Sequence, residues 1–456
     1  MKSRTVQSRR GQSQQSQRKK MGNQSMSRGA GYRSYQQEME RRNRVVRTPR
    51  PNAAVTAYRR PSGYNGSISA SVQRRRSKKK QNVKYFDYDL LLVIVFLMCF
   101  GLVMLYSTSA YSAQADFQDD MYYFSKQAII GAAGFFVMLF VSKVDYHFYG
   151  AFAKESFIFA FILMTLVQTP LGKEVNGARR WINLPGGLTL QPAEVTKIAM
   201  ILFISYELCR LGRRAYSKEG IIWTIFFGAV GAGGVFVLTE NLSTAIIVMG
   251  ITCILIFVVH PKTKPFIKFV GACAAFVVAG IILLLATGVT HSDNFRLRRI
   301  ISWLDPSGTA DDGSYQLMQG LYAIGSGGFF GKGLGNSTQK LTAIPEAQND
   351  MILTVICEEL GVLGVIVILC LFGFMLYRLM FIARNAPDLF GSLIATGIFG
   401  HIALQVILNV AVVTGIFPTT GITLPFISYG GTAVVFLLAE MGIALGISSK
   451  IELKEQ

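Results

Sequence analysis

Five glutamates and one lysine lie within or between long apolar runs: Glu194 and Lys197, Glu240, Glu358 and Glu359, and Glu440. An ionisable side chain at the centre of a bilayer costs about 2.5 to 3.5 kcal/mol on insertion scales, which makes each a candidate for chemistry. Glu194 and Lys197 are three residues apart and share one helix face as a pair. Glu358 stands eight residues beyond Asp350, about 12 Å along a helix and so near mid-bilayer. The structural alternative for all of these is a polar tie between helices. Asp350 differs, because it closes the polar segment Pro345-Glu346-Ala347-Gln348-Asn349-Asp350 just before an apolar run. Helix capping accounts for an Asp there. A helix N-terminus also favours the ionised form, and a carboxylate at the outer face is where a base should sit if it must meet a lipid-linked substrate whose head group lies outside.

The elements that must hold these groups follow from composition. The chain has 456 residues, 51% hydrophobic and 16% charged, against about a quarter charged in soluble domains, which excludes an ordinary soluble protein. A spanning helix needs about 20 mostly apolar residues. Ten such runs occur, at 88–108, 125–142, 155–170, 193–210, 221–239, 242–260, 266–288, 351–377, 388–413 and 432–448. The pattern predicts an all-α, polytopic membrane protein, with the fifth and sixth runs joined tightly through Glu240 and Asn241. The six cysteines lie in or beside apolar runs and form no CxxC pair, so they are apolar filler rather than disulfides or a zinc site.

The net charge of +20 is unevenly spread: residues 1–84 hold 23 Lys and Arg against two acids, and the remainder 23 against 24. The tail, rich in Gln, Ser, Arg, Gly and Asn, is expected to be disordered and attracted to anionic lipids. No aromatic or fold motif within it points to nucleic acid. A polar start leaves no room for a cleavable signal peptide. With the tail inside, thirteen Lys and Arg fall in the inner loops and C-terminus and four (Lys126, Lys173, Arg179 and Arg180) in the short outer loops. That bias predicts cytoplasmic termini, a membrane domain over 85–450 and a cytoplasmic end at 451–456. A large structured outer loop, 289–350, then joins helices 7 and 8. Within it Phe295–Leu304 and Tyr315–Ile324 have helical spacing, and the run from Gly325 to Gly335 predicts close backbone approach or positive φ. It neither follows a strand nor opens onto a GK[ST] helix, so it is no nucleotide loop.

Four motifs in order resemble one family. Asn176-Gly177-Ala178-Arg179-Arg180-Trp181, Pro192-Ala193-Glu194 with Lys197, Pro345-Glu346-Ala347 with Asp350 and then Glu358-Glu359-Leu360-Gly361, and Thr423-Leu424-Pro425-Phe426-Ile427-Ser428-Tyr429-Gly430-Gly431 are similar to the SEDS proteins of shape, elongation, division and sporulation. The resemblance covers about 88–448, and Gly421-Ile422-Thr423-Leu424-Pro425 lies closer to the FtsW and SpoVE branch than to RodA. Two departures stand out. The chain has Thr239-Glu240-Asn241-Leu242-Ser243-Thr244 where the family usually shows Q-P-D-L-G-T, and its basic tail is longer than most.

The resemblance implies peptidoglycan glycosyltransfer at the outer face of the cytoplasmic membrane, during division or sporulation septation. Lipid II, an undecaprenyl-pyrophosphoryl disaccharide-pentapeptide, would be polymerised into glycan strands. Attack by a sugar hydroxyl needs a base, and a pyrophosphate leaving group needs cations more than a general acid. On this reading Asp350 is the base, and Arg179, Arg180, Lys197, Arg296, Arg298 and Arg299 are candidates for the pyrophosphate, to which guanidinium forks are suited. Glu194, Glu358, Glu359, Pro425, Ser428, Tyr429 and Gly430 support the site. No cofactor is demanded, though a divalent cation (Mg or Mn) could share the anion, and no metal ligand set is present. The implied partners are a class B penicillin-binding protein transpeptidase and other septal membrane proteins. The alternatives are a lipid II flippase, which should show two related halves, and a non-enzymatic septal scaffold.

Overall fold

Helical hydropathy shapes the body of the chain, with side-chain caps at four of the long helices and a non-helical residue, Gly361, inside another. The computed structural model describes residues 83–175, 178–183, 189–261, 264–286, 295–305, 312–341 and 344–453. The basic tail up to residue 82 therefore lies outside the described residues. In chain order the elements are β1 (Val83–Lys84), α1 (Tyr88–Phe117), α2 (Tyr122–Lys143), α3 (Tyr146–Ala151), α4 (Ala153–Leu166), β2 (Gly172–Val175), β3 (Ala178–Asn183), β4 (Thr189–Leu190), α5 (Pro192–Leu211), α6 (Lys218–Leu238), α7 (Leu242–Val259), α8 (Lys264–Ala286), α9 (Phe295–Leu304), α10 (Asp312–Gly327), α11 (Ile352–Asn385), α12 (Leu389–Val413), α13 (Ala433–Ser448) and β5 (Glu452–Leu453).

Every one of the ten apolar runs is a helix. Six of them, α1, α2, α6, α7, α11 and α12, are long and apolar enough to cross a membrane. Of the others, α4 and α13 have 14 and 16 residues, short for a hydrocarbon core of about 30 Å. Side-chain oxygens of Asp87, Ser217, Asn241 and Asp388 accept from the backbone N–H three residues on, capping α1, α6, α7 and α12. Such caps satisfy amides that a helix start leaves open. The predicted tight connection holds, since α6 ends at Leu238 and α7 begins at Leu242.

Three features depart from the sequence reading. α1 continues to Phe117, past the expected end at 108, because the Ser, Ala and Gln residues there contain no breaker; it stops where Gln118 adopts φ +58°. Two small sheets join the helices: β2, β3 and β4 are antiparallel neighbours, and β1 pairs antiparallel with β5, Val83 opposite Leu453. The third concerns the Gly-rich run. The helix α10 lies beside the first part of α11, with Gly320 against Met351 and Thr354 and Gly327 against Cys357 and Glu358.

Helices α5, α12 and α13 are buried on most of their faces, while α2 and α6 turn Phe136, Phe140 and Ile222 outward. Small residues let the inner helices close up: Gly134 of α2 abuts Leu438 and Val435, and Gly442 of α13 abuts Met138 and Val141. Close backbone approach of this kind is what drives helix association in an apolar solvent. The five described cysteines are free thiols.

Candidate active site

Asp350 sits in a turn just before α11, its side chain buried with 8% exposure. Its backbone carbonyl accepts from Asn409 Nδ2 at 2.9 Å, and its Oδ1 accepts from Gln316 Nε2 at 3.4 Å. Burial pushes the carboxyl up to about 6, with Glu346 adding to the rise, while Arg299 and the Gln316 amide pull against it. A carboxylate near neutrality can both take and release a proton at working pH.

Two of the predicted cations act on this carboxyl or on each other. Arg299, on α9, donates to the carbonyl of Thr419 at 3.1 Å. Burial and the neighbouring Arg180 lower its proton affinity, and Asp350 raises it. Arg180, on β3, donates to the carbonyl of Glu240 at 3.3 Å. Successive strand residues point to opposite faces, and Arg179 accordingly lies on the other side, exposed and paired with Glu174 at 3.3 Å. Lys197 is brought to Glu194, Nζ to Oε2 at 2.8 Å, but in the interior with 2% exposure. The side chains of Arg296 and Arg298 lie outside the described residues.

The Pro418–Gly431 segment forms the wall beside Asp350. At Gly421, φ is +72°, and a Cβ there would lie 3.9 Å from Asp350 Oδ2. Asn409 and Gln405, one turn apart on α12, hold its backbone: Asn409 Nδ2 donates to Ile422 O at 2.7 Å and Gln405 Nε2 to Thr423 O at 3.0 Å. Pro425 is buried, and Phe426 turns the chain at φ +64° against Gly101 of α1. Ser428 Oγ accepts from Leu424 N at 2.8 Å, and Tyr429 N donates to Gln348 O at 2.9 Å, tying this wall to the Asp350 turn. Burial and the adjoining Tyr122 and Tyr123 push the Tyr429 phenol up to about 12. Gly430 packs on Ala433 and Val434.

Glu358 and Glu359 are fully buried, yet they do not stand alone among apolar side chains. Glu358 meets Lys332 Nζ at 2.6 Å, Thr338 Oγ1 at 3.0 Å and Ser337 Oγ. Glu359 meets Lys340 Nζ at 2.6 Å and Ser107 Oγ at 2.7 and 2.8 Å. Glu358, expected near mid-bilayer, is wrapped by the polar 326–340 segment, because the cost of burial demands a partner. These two groups hold the loop that carries α10, and so Gln316, against the site. Gln316, Gln405 and Asn409 were not singled out from the sequence; the signal available was two amides four residues apart in an otherwise apolar run. Among the described residues no three His, Cys, Asp or Glu side chains converge to hold a metal ion.

A family model described as cell cycle protein, covering FtsW, RodA and SpoVE, matches residues 88–452. The stage V sporulation protein E of Bacillus subtilis is 37% identical over 365 residues, 79% of this chain and 96% of that protein. A probable peptidoglycan glycosyltransferase FtsW of Geobacter sp. strain M18 is 35% identical over 376 residues, 81% and 99% of the two chains. Among solved structures, one concerned with the coordination of polymerization and crosslinking by a peptidoglycan synthase complex superposes with a TM-score of 0.66 at 25% identity, covering 80% and 97%. The rod shape determining protein RodA of Thermus thermophilus shares the fold, at a TM-score of 0.58 and 23% identity over 80% and 96% of the chains. By motif order, coverage and fold, the chain belongs to the FtsW/RodA/SpoVE family of cell cycle proteins.

Proposed function

We propose that the protein is a peptidoglycan glycosyltransferase that polymerises lipid II at the outer face of the bacterial cytoplasmic membrane, in division or sporulation septation. Asp350 takes the proton from the acceptor sugar hydroxyl as it attacks the anomeric carbon of the donor. The glycosidic oxygen–carbon bond forms as the bond to the pyrophosphate breaks, with inversion, and undecaprenyl pyrophosphate departs with the electron pair. Arg299 and Arg180 stabilise its developing charge. Arg296 and Arg298, on the same helix as Arg299, would add to the cationic surroundings, and a divalent cation accompanying the pyrophosphate would share that charge, whereas Arg179 and Lys197 are held by Glu174 and Glu194 away from it. The helices of the ten apolar runs, the short α4 and α13 included, cross the membrane with both termini cytoplasmic, and a class B penicillin-binding protein crosslinks the product.

The observation that carries this reading is a buried carboxyl pushed up to about 6 within the field of Arg299, which in turn neighbours Arg180, beside a wall whose Gly421 approaches Asp350 Oδ2. Purified protein supplied with labelled lipid II, alone and with its transpeptidase, should yield glycan strands. Asp350→Asn should lower the rate by about 100-fold or more, the usual worth of a general base. Polymerisation by that variant at the parental rate would falsify the assignment, and lipid II translocation without polymer would replace it with transport.

A further inference from the structure

Glu440 and His401 lie inside the bundle, 1% exposed each, and neither touches Asp350 or the arginines around it. His401 Nδ1 is 2.7 Å from Glu440 Oε2, and His401 Nε2 is 2.8 Å from Gln405 Oε1. The same Gln405 oxygen accepts from Lys197 Nζ at 3.2 Å, and Gln405 Nε2 donates to the Thr423 carbonyl at 3.0 Å. With the Lys197–Glu194 pair at 2.8 Å, the chain Glu440–His401–Gln405–Lys197–Glu194 links α13, α12 and α5.

The donor and acceptor chemistry of this chain fixes its protons. A carbonyl only accepts, so the Thr423 contact requires the Gln405 nitrogen; an ammonium only donates, so the Lys197 contact requires the Gln405 oxygen. The amide therefore has one orientation. Its oxygen cannot donate, so His401 must carry a hydrogen on Nε2. One hydrogen is then left for the 2.7 Å contact between Nδ1 and Glu440. Whichever atom holds it, the pair is neutral overall, which is the arrangement a low-dielectric interior tolerates.

We propose that His401 is a positioning residue which, made neutral with the buried Glu440 by one proton held between them, acts through Gln405 to set the Thr423 backbone at the site and the interior Lys197 behind it. The inference rests on the reading that the surroundings of Asp350 polymerise lipid II. Gln405 is one turn from Asn409, which holds the Asp350 carbonyl, so a displaced Gln405 moves the wall against which Asp350 is set. Misplacements of about 1 Å are known to cost catalysis about a hundredfold.

The test uses three full-length variants in the lipid II assay, each compared with wild type by melting temperature and gel filtration. In Glu440→Gln the histidine keeps its Nε2 hydrogen and Nδ1 accepts from the new amide, so kcat/KM should stay within about twofold of wild type. Adding His401→Gln retains a donor towards Gln405 and should retain activity. Adding His401→Leu to Glu440→Gln removes the donor without stranding a carboxylate, and kcat should fall by about tenfold or more with the melting temperature kept. Wild-type kinetics in that last variant, or loss of activity in Glu440→Gln alone, overturns the proposal. The chain has four histidines, so 15N NMR of labelled protein, with His401 assigned by its loss in His401→Gln, reads the tautomer directly. A bare Nε2 overturns the proposal whatever the assay gives. Asp350→Asn at the parental rate, with Nε2 protonated, overturns the catalytic reading and leaves the proton assignment standing.

Discussion

Gly331 and Gly361 face each other backbone to backbone, both at positive φ, +80° and +72°. A Cβ on Gly331 would lie 2.6 Å from Gly361 N, and one on Gly361 would lie 2.5 Å from Gly331 N. Around this contact two interrupted helices exchange hydrogen bonds. Lys332 N and Gly333 N donate to the carbonyls of Glu358 and Glu359, while Val362 N and Leu363 N donate to those of Gly328 and Phe329. The groups freed by the non-helical residue Gly361 within α11 are thus satisfied by the freed groups of the Gly-rich run. A break within an apolar bundle persists only on that condition.

Gly361→Ala should therefore be far more damaging than a glycine-to-alanine change elsewhere in α11. Neither the left-handed conformation nor the backbone contact can be relieved by a side-chain shift. A loss of at least about 2 kcal/mol is expected, read as a lower melting temperature in detergent. Gly373→Ala, at a helical position with nothing within 4 Å of the added methyl, is the control and should be neutral or mildly stabilising. Equal melting temperatures for the two variants would show that the paired glycines are dispensable.

The carboxylates beside that crossing make a second case. Lys332→Met leaves Glu358 fully buried with one charge unmatched, and removing one partner of a buried pair costs about 3 to 5 kcal/mol. Lys332→Met combined with Glu358→Met should recover much of that loss, because no stranded charge remains. A double-mutant cycle on thermal stability measures the coupling; additive losses would mean that the serine and threonine hydroxyls carry the carboxylate without the lysine.

How much of this was legible beforehand depends on whether the cause is local. The helices follow from hydropathy and caps, and the positive φ at Gly331, Gly333 and Gly335 follows from a glycine run too dense for a regular helix. The Glu194–Lys197 pair follows from spacing alone. What covers Glu358 does not, since Lys332 and Ser337 approach it only after α10 folds back along α11. Strand alternation says that Arg179 and Arg180 point apart, and only the packed sheet decides that Arg180 is the one acting on Arg299. Asn409 was hidden for the same reason, its two carbonyl partners lying 59 and 13 residues away.

Asn409 supplies a third prediction. Its amide is the only group in the described contacts that binds the carbonyls of both Asp350 and Ile422. Asn409→Asp keeps the volume and removes the donor, and it sets a carboxylate against two carbonyl oxygens. Polymerisation should fall by about 10-fold to 100-fold, with lipid II binding largely retained because the guanidinium groups are untouched. Asn409→Gln tests reach, and an Asn409→Asp enzyme with unchanged kcat would remove this side chain from the account.

The pH profile gives the last. Burial raises Asp350 to about 6, against the lowering influence of Arg299 and Gln316. A base works when ionised, so kcat/KM should be full well above pH 6 and fall about tenfold per unit below it. Gln316→Leu removes an amide that favours the charged carboxylate, leaving the side chain buried; by the same sign the limb must move up, towards neutral pH. The shift separates a base from a carboxylate that only caps α11, whose titration would change stability and leave the rate of the folded fraction flat. Rates of parent and variant measured from about pH 3 to 8, roughly the span either side of that limb, decide the matter: a limb that stays in place in Gln316→Leu assigns it to another group, and one near the ordinary Asp range of about 3.9 removes burial as the factor that tunes Asp350.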